Sequence, residues 1–576
     1  MRTRSRRLAL IACVALCSAG RAAAQDTVAV EAMLSPAVAR EAAARYNAAL
    51  GVRATVPTRI DAAQVIDGDV AVLEAPLTIA GTIRGSVVAI NGSVALLPGA
   101  RVEGDILVVG GAVTGLDSAR VRGEVRAYQA RMHYQRDGAA IIPEDGEIAS
   151  VFPWEVVRTG GERPNGLRVR SYHSYNRVEG LPIYAGPYIT HETSRGVLTA
   201  ELYGIVRTAE GLAWTSDNIG HRATVEVRTP GEFQLVVGGR LQDVVDPIEP
   251  WQLTDTESGL ATFFLHRDFR DWYGRHGGVA YAGVSGPRGF SVVASLADER
   301  WASRRQLDPW TLFRDSDPWR PNPTVDDGRF HVARLTAAVD TRNDPRDPWA
   351  GWLAAVELER GAGRITSFGD RSRPTGVFSP VPVDAPLGVL PPASMHYLRG
   401  FLDVRRYNRL SPETQLNLRA VFVGWLAGDV LPLQRQVSVG GLGTIPGYDF
   451  RRGDESKTTC ASVTAPGRPA ECDRAVLVQG EYRVNLGVER LVQALIPTRS
   501  VDGALVVFVD AGRGWRVRNR NSEPDAFAGG TLPPVRTFLS DVGAGIDLSL
   551  IGIYVAKGVS GGNPPPNVFV RVRHRF

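Results

Sequence analysis

Several groups of residues have the types and spacing to do chemistry. Gly558-Val559-Ser560-Gly561-Gly562 has the Gly-x-Ser-x-Gly spacing of a nucleophile elbow. That motif needs a strand-to-helix turn, with an acid and then a histidine later in the chain. Here it runs into Asn563-Pro564-Pro565-Pro566, and His574 is the sole later histidine. It reads as a loop between two strands, and no catalytic residue is expected. The nine histidines are scattered, with no His-x-x-x-His pair or carboxylate cluster at ligand spacing, so no metal site is expected. A phosphate-cradling Gly-Lys-Ser/Thr is missing, and Lys457 and Lys557 are the only lysines. The reading is a non-enzyme without cofactor.

A different chemistry, the pairing of buried charge, is suggested by the run from Val437 to Gly453. Gly440, Gly441, Gly443 and Gly447 allow backbone at positive φ and close approach to another chain segment. Pro446, Tyr448, Arg451 and Arg452 punctuate them. The run reads as an ordered loop packed into a polar cavity. Downstream, Leu477, Gln479, Glu481 and Arg483 alternate with Val476, Val478, Gly480 and Tyr482, and Phe508 and Asp510 share a face opposite Val507 and Val509. Glu481, Phe508, Asp510 and Gly512 are thus candidate docking residues for the loop. Glu481 and Asp510 would there need a compensating cation.

The elements that would position these residues are strands. Leu398, Gly400, Leu402 and Val404 alternate with Arg399, Phe401, Asp403 and Arg405, and Val568, Val570, Val572, His574 and Phe576 with Phe569, Arg571, Arg573 and Arg575. A sandwich core could not bury that many charges unpaired. About 16 strand candidates fall within 166–576, the even number expected of a transmembrane antiparallel β-barrel. The fold class is therefore all-β. Trp214, Trp251, Trp272 and Trp301 fall near strand ends, as interfacial girdle residues or as scattered strand and loop aromatics.

Residues 1–24 read as a signal peptide: Arg2, Arg4, Arg6 and Arg7, an apolar run from Leu8 to Cys17, then Ala22-Ala23-Ala24. Leu10-Ile11-Ala12-Cys13 offers a lipoprotein box as the alternative. Without its five arginines the formal charge falls from +5 to 0, which removes the case for a nucleic-acid partner. Cys460 and Cys472 remain, and two cysteines in an exported chain most simply form one disulfide.

Residues 25–59 hold a helical candidate, Pro36 to Leu50, within a linker segment. In 60–130, Gly85, Gly104 and Gly123 recur every 19 residues, and Gly68 lies 17 before Gly85. Glycine corners between β-branched runs predict a stacked β-solenoid, which resembles the bactofilin-like solenoids. Residues 131–165, rich in Gly, Pro and Asp, read as a linker.

From 166 to 576 the chain resembles the bacterial surface-antigen superfamily of outer-membrane barrels, which includes BamA/TamA-like insertases and two-partner secretion transporters. Four matches in order carry the resemblance: Tyr175-Asn176-Arg177-Val178-Glu179-Gly180, similar to the opening of such barrels; Asp340-Thr341-Arg342-Asn343-Asp344-Pro345 with Gly351-Trp352; Gly440-Gly441 through Gly447-Tyr448; and Phe508-Val509-Asp510-Ala511-Gly512. A terminal aromatic, Phe576, adds an assembly signal. Two departures stand out. Pro446 occupies the place of the family's loop arginine, so either Arg451 or Arg452 pairs with the lumen carboxylates or the loop is held differently. The family's repeated periplasmic α/β modules have no counterpart in 25–165.

The resemblance implies a cell outer-membrane protein, its N-terminal module periplasmic, that helps polypeptides insert into or cross the membrane. The seam would lie between the strand near Tyr175 and the one ending at Phe576. The expected partners are outer-membrane lipid, client outer-membrane or secreted polypeptides, and a periplasmic or cell-wall partner of the solenoid. The rival readings are a structural anchor whose solenoid binds an envelope partner, and a passive channel.

Overall fold

A computed structural model describes residues 36–49, 51–128, 132, 134–137, 140–143, 165–193, 195–211, 215, 217–231, 233–286, 289–342, 348–370, 392–411, 413–451, 467, 469–486, 503–517, 526–527, 531–548, 551–572 and 575–576. The segment read as a signal peptide, together with Leu50, Trp214, Arg452 and Cys460, lies outside them. The chain divides into two compact units.

The first unit is a β-solenoid. Short parallel strands stack in three sheets of five, four and four strands. Val70 pairs with Val87, Val87 with Ile106, and Ile106 with Val125, so the coil lengths are the 17, 19 and 19 residues of the glycine spacing. A Cβ on Gly85 would lie 2.4 Å from the backbone of Gly68, on Gly104 2.7 Å from that of Gly85, and on Gly123 2.4 Å from that of Gly104. The glycine column is thus a packing requirement between coils.

Strands Val70–Leu73, Val87–Ile90 and Ile106–Val109 are buried on both faces. Their inward residues meet inside the coil, and Ala71, Leu73, Val88, Ile90, Leu107 and Val109 face outward under a helix. That helix is α1, Pro36–Ala48. It opens on proline and is rich in alanine, both favourable there. Ala39, Ala42, Ala43 and Tyr46 seal the sheet. Two spans read as linkers are structured: the first coil begins at Val52, and Tyr134–Asp137 pairs with Ala140–Pro143 as a hairpin whose Ile141 joins the α1 cluster. Tertiary packing overrides the polar composition of the hairpin.

The second unit is an antiparallel β-barrel. Seventeen segments form one hydrogen-bonded sheet; one is the two-residue Ala526–Phe527, leaving sixteen strands among the described residues. They are β1 Asn165–Arg170, β2 Pro182–Thr193, β3 Gly196–Arg207, β4 Ile219–Arg228, β5 Gln234–Ile248, β6 Asp271–Ser285, β7 Ser291–Ser303, β8 Asp327–Asp340, β9 Gly351–Ser367, β10 Ala393–Arg409, β11 Thr414–Gly428, β12 Arg474–Asn485, β13 Ala504–Val517, β14 Leu539–Asp547, β15 Ile551–Gly558 and β16 Asn567–Val572.

The outer wall is apolar and exposed, as at Leu202, Leu241, Leu296, Leu418, Val478, Val507, Val509 and Ile553. Ion pairs fill the inner wall: Arg334 and Glu359 at 2.6 Å, Arg419 and Asp403 at 2.8 Å, Arg483 and Asp547 at 2.8 Å. An apolar exterior around a charged interior is the inverse of a soluble fold and suits a lipid-embedded barrel.

Trp251, Trp272 and Trp301 are buried on the lumen side, so of the two readings they are strand and loop aromatics and not a lipid-facing girdle. Their side chains follow strand alternation and loop packing inward, and the Trp301 ring stacks 4.1 Å from Phe330. Tyr175 to Gly180 is no opening strand: Asn176 and Gly180 close a tight turn after β1. Val572 is the last described residue of β16; beyond it Arg575 pairs with Asp510 of β13, on the lumen side as alternation expects, and the Phe576 carbonyl accepts from the Tyr407 hydroxyl at 3.0 Å.

Replacing Gly104 with valine would force the coils apart. It should destabilise the solenoid by roughly 2 kcal/mol or more, seen as early proteolysis of the N-terminal unit with the heat-modifiable mobility of the barrel unchanged.

Candidate functional site

The run from Val437 to Arg451 folds into the barrel between β11 and β12. Its neck is two backbone hydrogen bonds between Val437 and Cys472, both 2.9 Å. The buried Cys472 is half of the predicted bridge, and Cys460 lies outside the described residues. Gly440 and Gly441 sit at φ 100° and 107°, a conformation that L side chains rarely adopt. The turn then closes on itself. The Gly441 N–H donates to Ile445 at 3.2 Å, Thr444 N–H to Gly441 at 3.0 Å, and Arg451 N–H to Gly440 at 3.2 Å.

Val437, Val439, Ile445 and Tyr448 form an apolar nucleus with Trp251, Phe401, Val421, Leu477 and Leu539. The loop brings its own small core into a polar cavity, where it has water-averse surface to bury.

The tip lies flat on the wall. A Cβ on Gly447 would come 2.5 Å from the Asp541 side chain and 2.6 Å from the Gly558 backbone. Its N–H donates to the Asp541 carboxylate at 2.5 Å, and the Pro446 carbonyl accepts from Asn567 at 3.1 Å. The Tyr448 hydroxyl donates to the Ser560 carbonyl, and the Ser560 Oγ accepts from the Ser540 N–H at 2.6 Å. The serine in nucleophile spacing is therefore a seat for the loop's tyrosine. On the side walls, Gln479 donates to the Thr444 carbonyl at 3.0 Å and Arg571 to the Leu442 carbonyl at 3.3 Å.

Arg451 does not pair with Glu481 or Asp510. It is buried, and its guanidinium meets Glu249 at 2.8 Å and Asp271. Asp271 also takes Arg177 at 2.9 Å and Arg320 at 2.7 Å, so the Tyr175–Gly180 motif and the loop motif converge on one carboxylate. Glu481 accepts from Asn417 at 2.8 Å, and Asp510 takes Arg575. Both face the lumen as alternation requires, but their cations come from the wall and the chain terminus, which reach them without opening the loop. Gly512 lies under the loop, where an added Cβ would be 3.2 Å from Ile445. Phe508 lies under Arg575, whose guanidinium is 3.6 Å from its ring centre.

Helix α2, Asp255–Leu265, braces the other side. Thr254 and Glu257 form a capping box, and Arg571 of β16 pairs with Glu257. Burial alone would raise the Glu257 carboxyl, but the Arg571 guanidinium outweighs it and holds it below the ordinary range. Sequence reasoning missed Glu249, Asp271 and Asp541, because nothing in strand alternation says which loop a wall carboxylate meets. Arg571 was legible in the inward set of the last strand.

No protein-family model matches the sequence, and no curated protein matches it. Among solved structures, BamA from Haemophilus ducreyi lacking POTRA domains 1–3 is similar at 12% identity over 72% of this chain and 71% of that one, with a TM-score of 0.40. CdiB from Escherichia coli is similar at 11% identity over 77% and 66% of the two chains, TM-score 0.32, and CdiB from Acinetobacter baumannii at 12% over 70% and 59%, TM-score 0.30. The ladder itself defines the fold. A sixteen-strand barrel with a glycine-rich loop folded inside is what the surface-antigen resemblance implies.

Two outcomes follow. Arg451→Met would leave Glu249 and Asp271 short of a cation and should cost about 3–5 kcal/mol, read as heat-modifiable mobility lost at a lower temperature, with Arg451→Lys intermediate. His173, in the turn after β1, has Nδ1 3.2 Å from Asp255 and Nε2 3.3 Å from Asp246. Burial disfavours its cation, but the two carboxylates, themselves paired with Arg270 and Arg275, push its pKa up to about 10. A raised folded-state pKa gives stability that is complete below the ordinary value of 6.5 and lost as pH rises through about 10. Thermal unfolding across that window should show this decline, and His173→Gln should flatten it.

Proposed function

We propose that this protein works in the outer membrane, helping other polypeptides to insert into it or cross it, without enzymatic chemistry. One observation carries the reading: among the described residues no ladder joins β1 to β16, the first and last strands of the sheet. Leu167 and Val169 of β1 are 84% and 73% exposed, and Val568 of β16 is 72% exposed. Strand edges left open in this way invite a further strand, and a client strand could add there by β-augmentation. The solenoid takes the place of client-receiving modules as a contact surface.

The hydrogen-bonded loop across the lumen favours this reading over a passive pore. In this reading it braces the wall near the seam: Pro446 accepts from Asn567 and Leu442 from Arg571, both on β16. Opening would then be felt by the loop.

A photo-crosslinking residue at Leu167 or Val570 should capture nascent outer-membrane polypeptides, while one at Val507, in the middle of the wall, should not. Depletion should lower many outer-membrane proteins together. Envelope-shape defects with an intact outer-membrane proteome would instead establish the anchor.

A further inference from the structure

The apolar outer wall is interrupted by one charged band. Across six adjacent strands a single row of directly opposed residues runs His221, Asp243, His276, Arg300, Arg329, Arg364, from β4 to β9. The next row includes Asp298 opposite His331, and the one below places Arg360 opposite Ala333. All lie toward the end of the barrel that carries the long connections, which in such barrels is the extracellular side.

Like charges directly opposed across strands are destabilising, yet Arg300, Arg329 and Arg364 occupy three consecutive strands. Of the three, the carboxylates nearby balance only Arg329. Asp298 holds Arg329 at 2.8 Å and lies 3.5 Å from His331, and Asp243 is drawn toward Arg207 and Arg304, each at 3.5 Å. Among the described residues, no carboxylate pairs with Arg300, Arg360 or Arg364. Arg329 is 70% exposed beside them. Unpaired guanidinium groups on a wall that faces lipid need an anion from outside the chain.

Below the row the surface changes character. Gly239, Gly278, Ala280, Ala333 and Ala362 floor a shallow groove walled by Leu241 and Leu296, with Arg360 and Asp298 at its lip. Above it, His221, His276, Arg300 and Arg329 line a polar recess continuous with the row. Charge at headgroup depth above a smooth apolar channel has the chemistry of an amphiphile: phosphate esters for the arginines, an acyl chain for the groove. Guanidinium groups match phosphate oxygens bidentately.

We propose that the outer wall of β4–β9 is a binding site for a phosphorylated lipid of the leaflet on the long-connection side, with Arg300, Arg329, Arg360 and Arg364 holding its phosphates. The site lies on the opposite face of the wall from the lumenal loop, and it does not depend on how client polypeptides are handled.

The test is native mass spectrometry of the full-length barrel released from nanodiscs of phosphatidylcholine doped with a diphosphorylated, acylated glucosamine disaccharide. The wild type should retain that lipid over phosphatidylcholine. Arg300→Gln/Arg329→Gln/Arg364→Gln should lower its apparent affinity roughly tenfold or more, about 1.4 kcal/mol, with heat-modifiable mobility intact. Equal retention by the triple variant overturns the proposal, as does a wild type that retains no such lipid. Should the variant not fold, the enzymatically dephosphorylated lipid on wild-type protein decides: binding undiminished by loss of phosphate sinks the idea. Inorganic pyrophosphate retained as firmly as the lipid would place the affinity in free phosphate and overturn the lipid assignment.

Discussion

The barrel depends on pairing the charge it turns inward, and Asp271 is where that constraint is tightest. One carboxylate at the start of β6 receives Arg177 from the turn after β1, Arg320 from the connection between β7 and β8, and Arg451 from the lumenal loop. Glu249 and Asp268 share the load. Burying a lone ion costs several kcal/mol even after relaxation, so each of these segments is pinned by the others. A loop that could wander if it were only apolar is fixed in register by an arginine whose removal takes the cation from Glu249 and one of three from Asp271.

The loop's placement follows from that pin together with its glycines. Gly440 and Gly441 turn the chain back, Ile445 and Tyr448 give it a core, and Gly447 lets the tip touch β14 and β15. The wall supplies the rest with polar side chains that would otherwise face an unfilled lumen: Gln479, Asn567, Arg571 and Asp541. Helix α2 and its capping box hold Glu257 where Arg571 can meet it. Plug, helix and last strand thereby form one charge-matched assembly.

Much of this was legible in the sequence. Period-two alternation placed Glu481 and Asp510 inward and Val507 and Val509 outward, and the 19-residue glycine spacing anticipated the solenoid coil. Pairing was not legible. Alternation says that a carboxylate faces the lumen but not which arginine reaches it, so the cation for Glu481 and Asp510 was sought in Arg451 or Arg452, whereas Arg451 reaches Glu249 and Asp271. Arg575 belonged to the inward set of the last strand, but that Asp510 is its partner was hidden for the same reason. The tryptophans at strand ends stayed undecided because their sequence position does not distinguish the two faces of the wall.

The contact between Gly447 and Asp541 has a consequence for how this barrel can change over time. An acid on the wall is answered by an amide of the main chain, which every amino acid but proline possesses. Exchanging side chains along the turn therefore cannot abolish the bond by altering charge; only bulk that lifts the backbone away can do so. At that spot the demand is for thinness, since the loop is held by how closely its main chain can approach the wall and not by a side-chain charge.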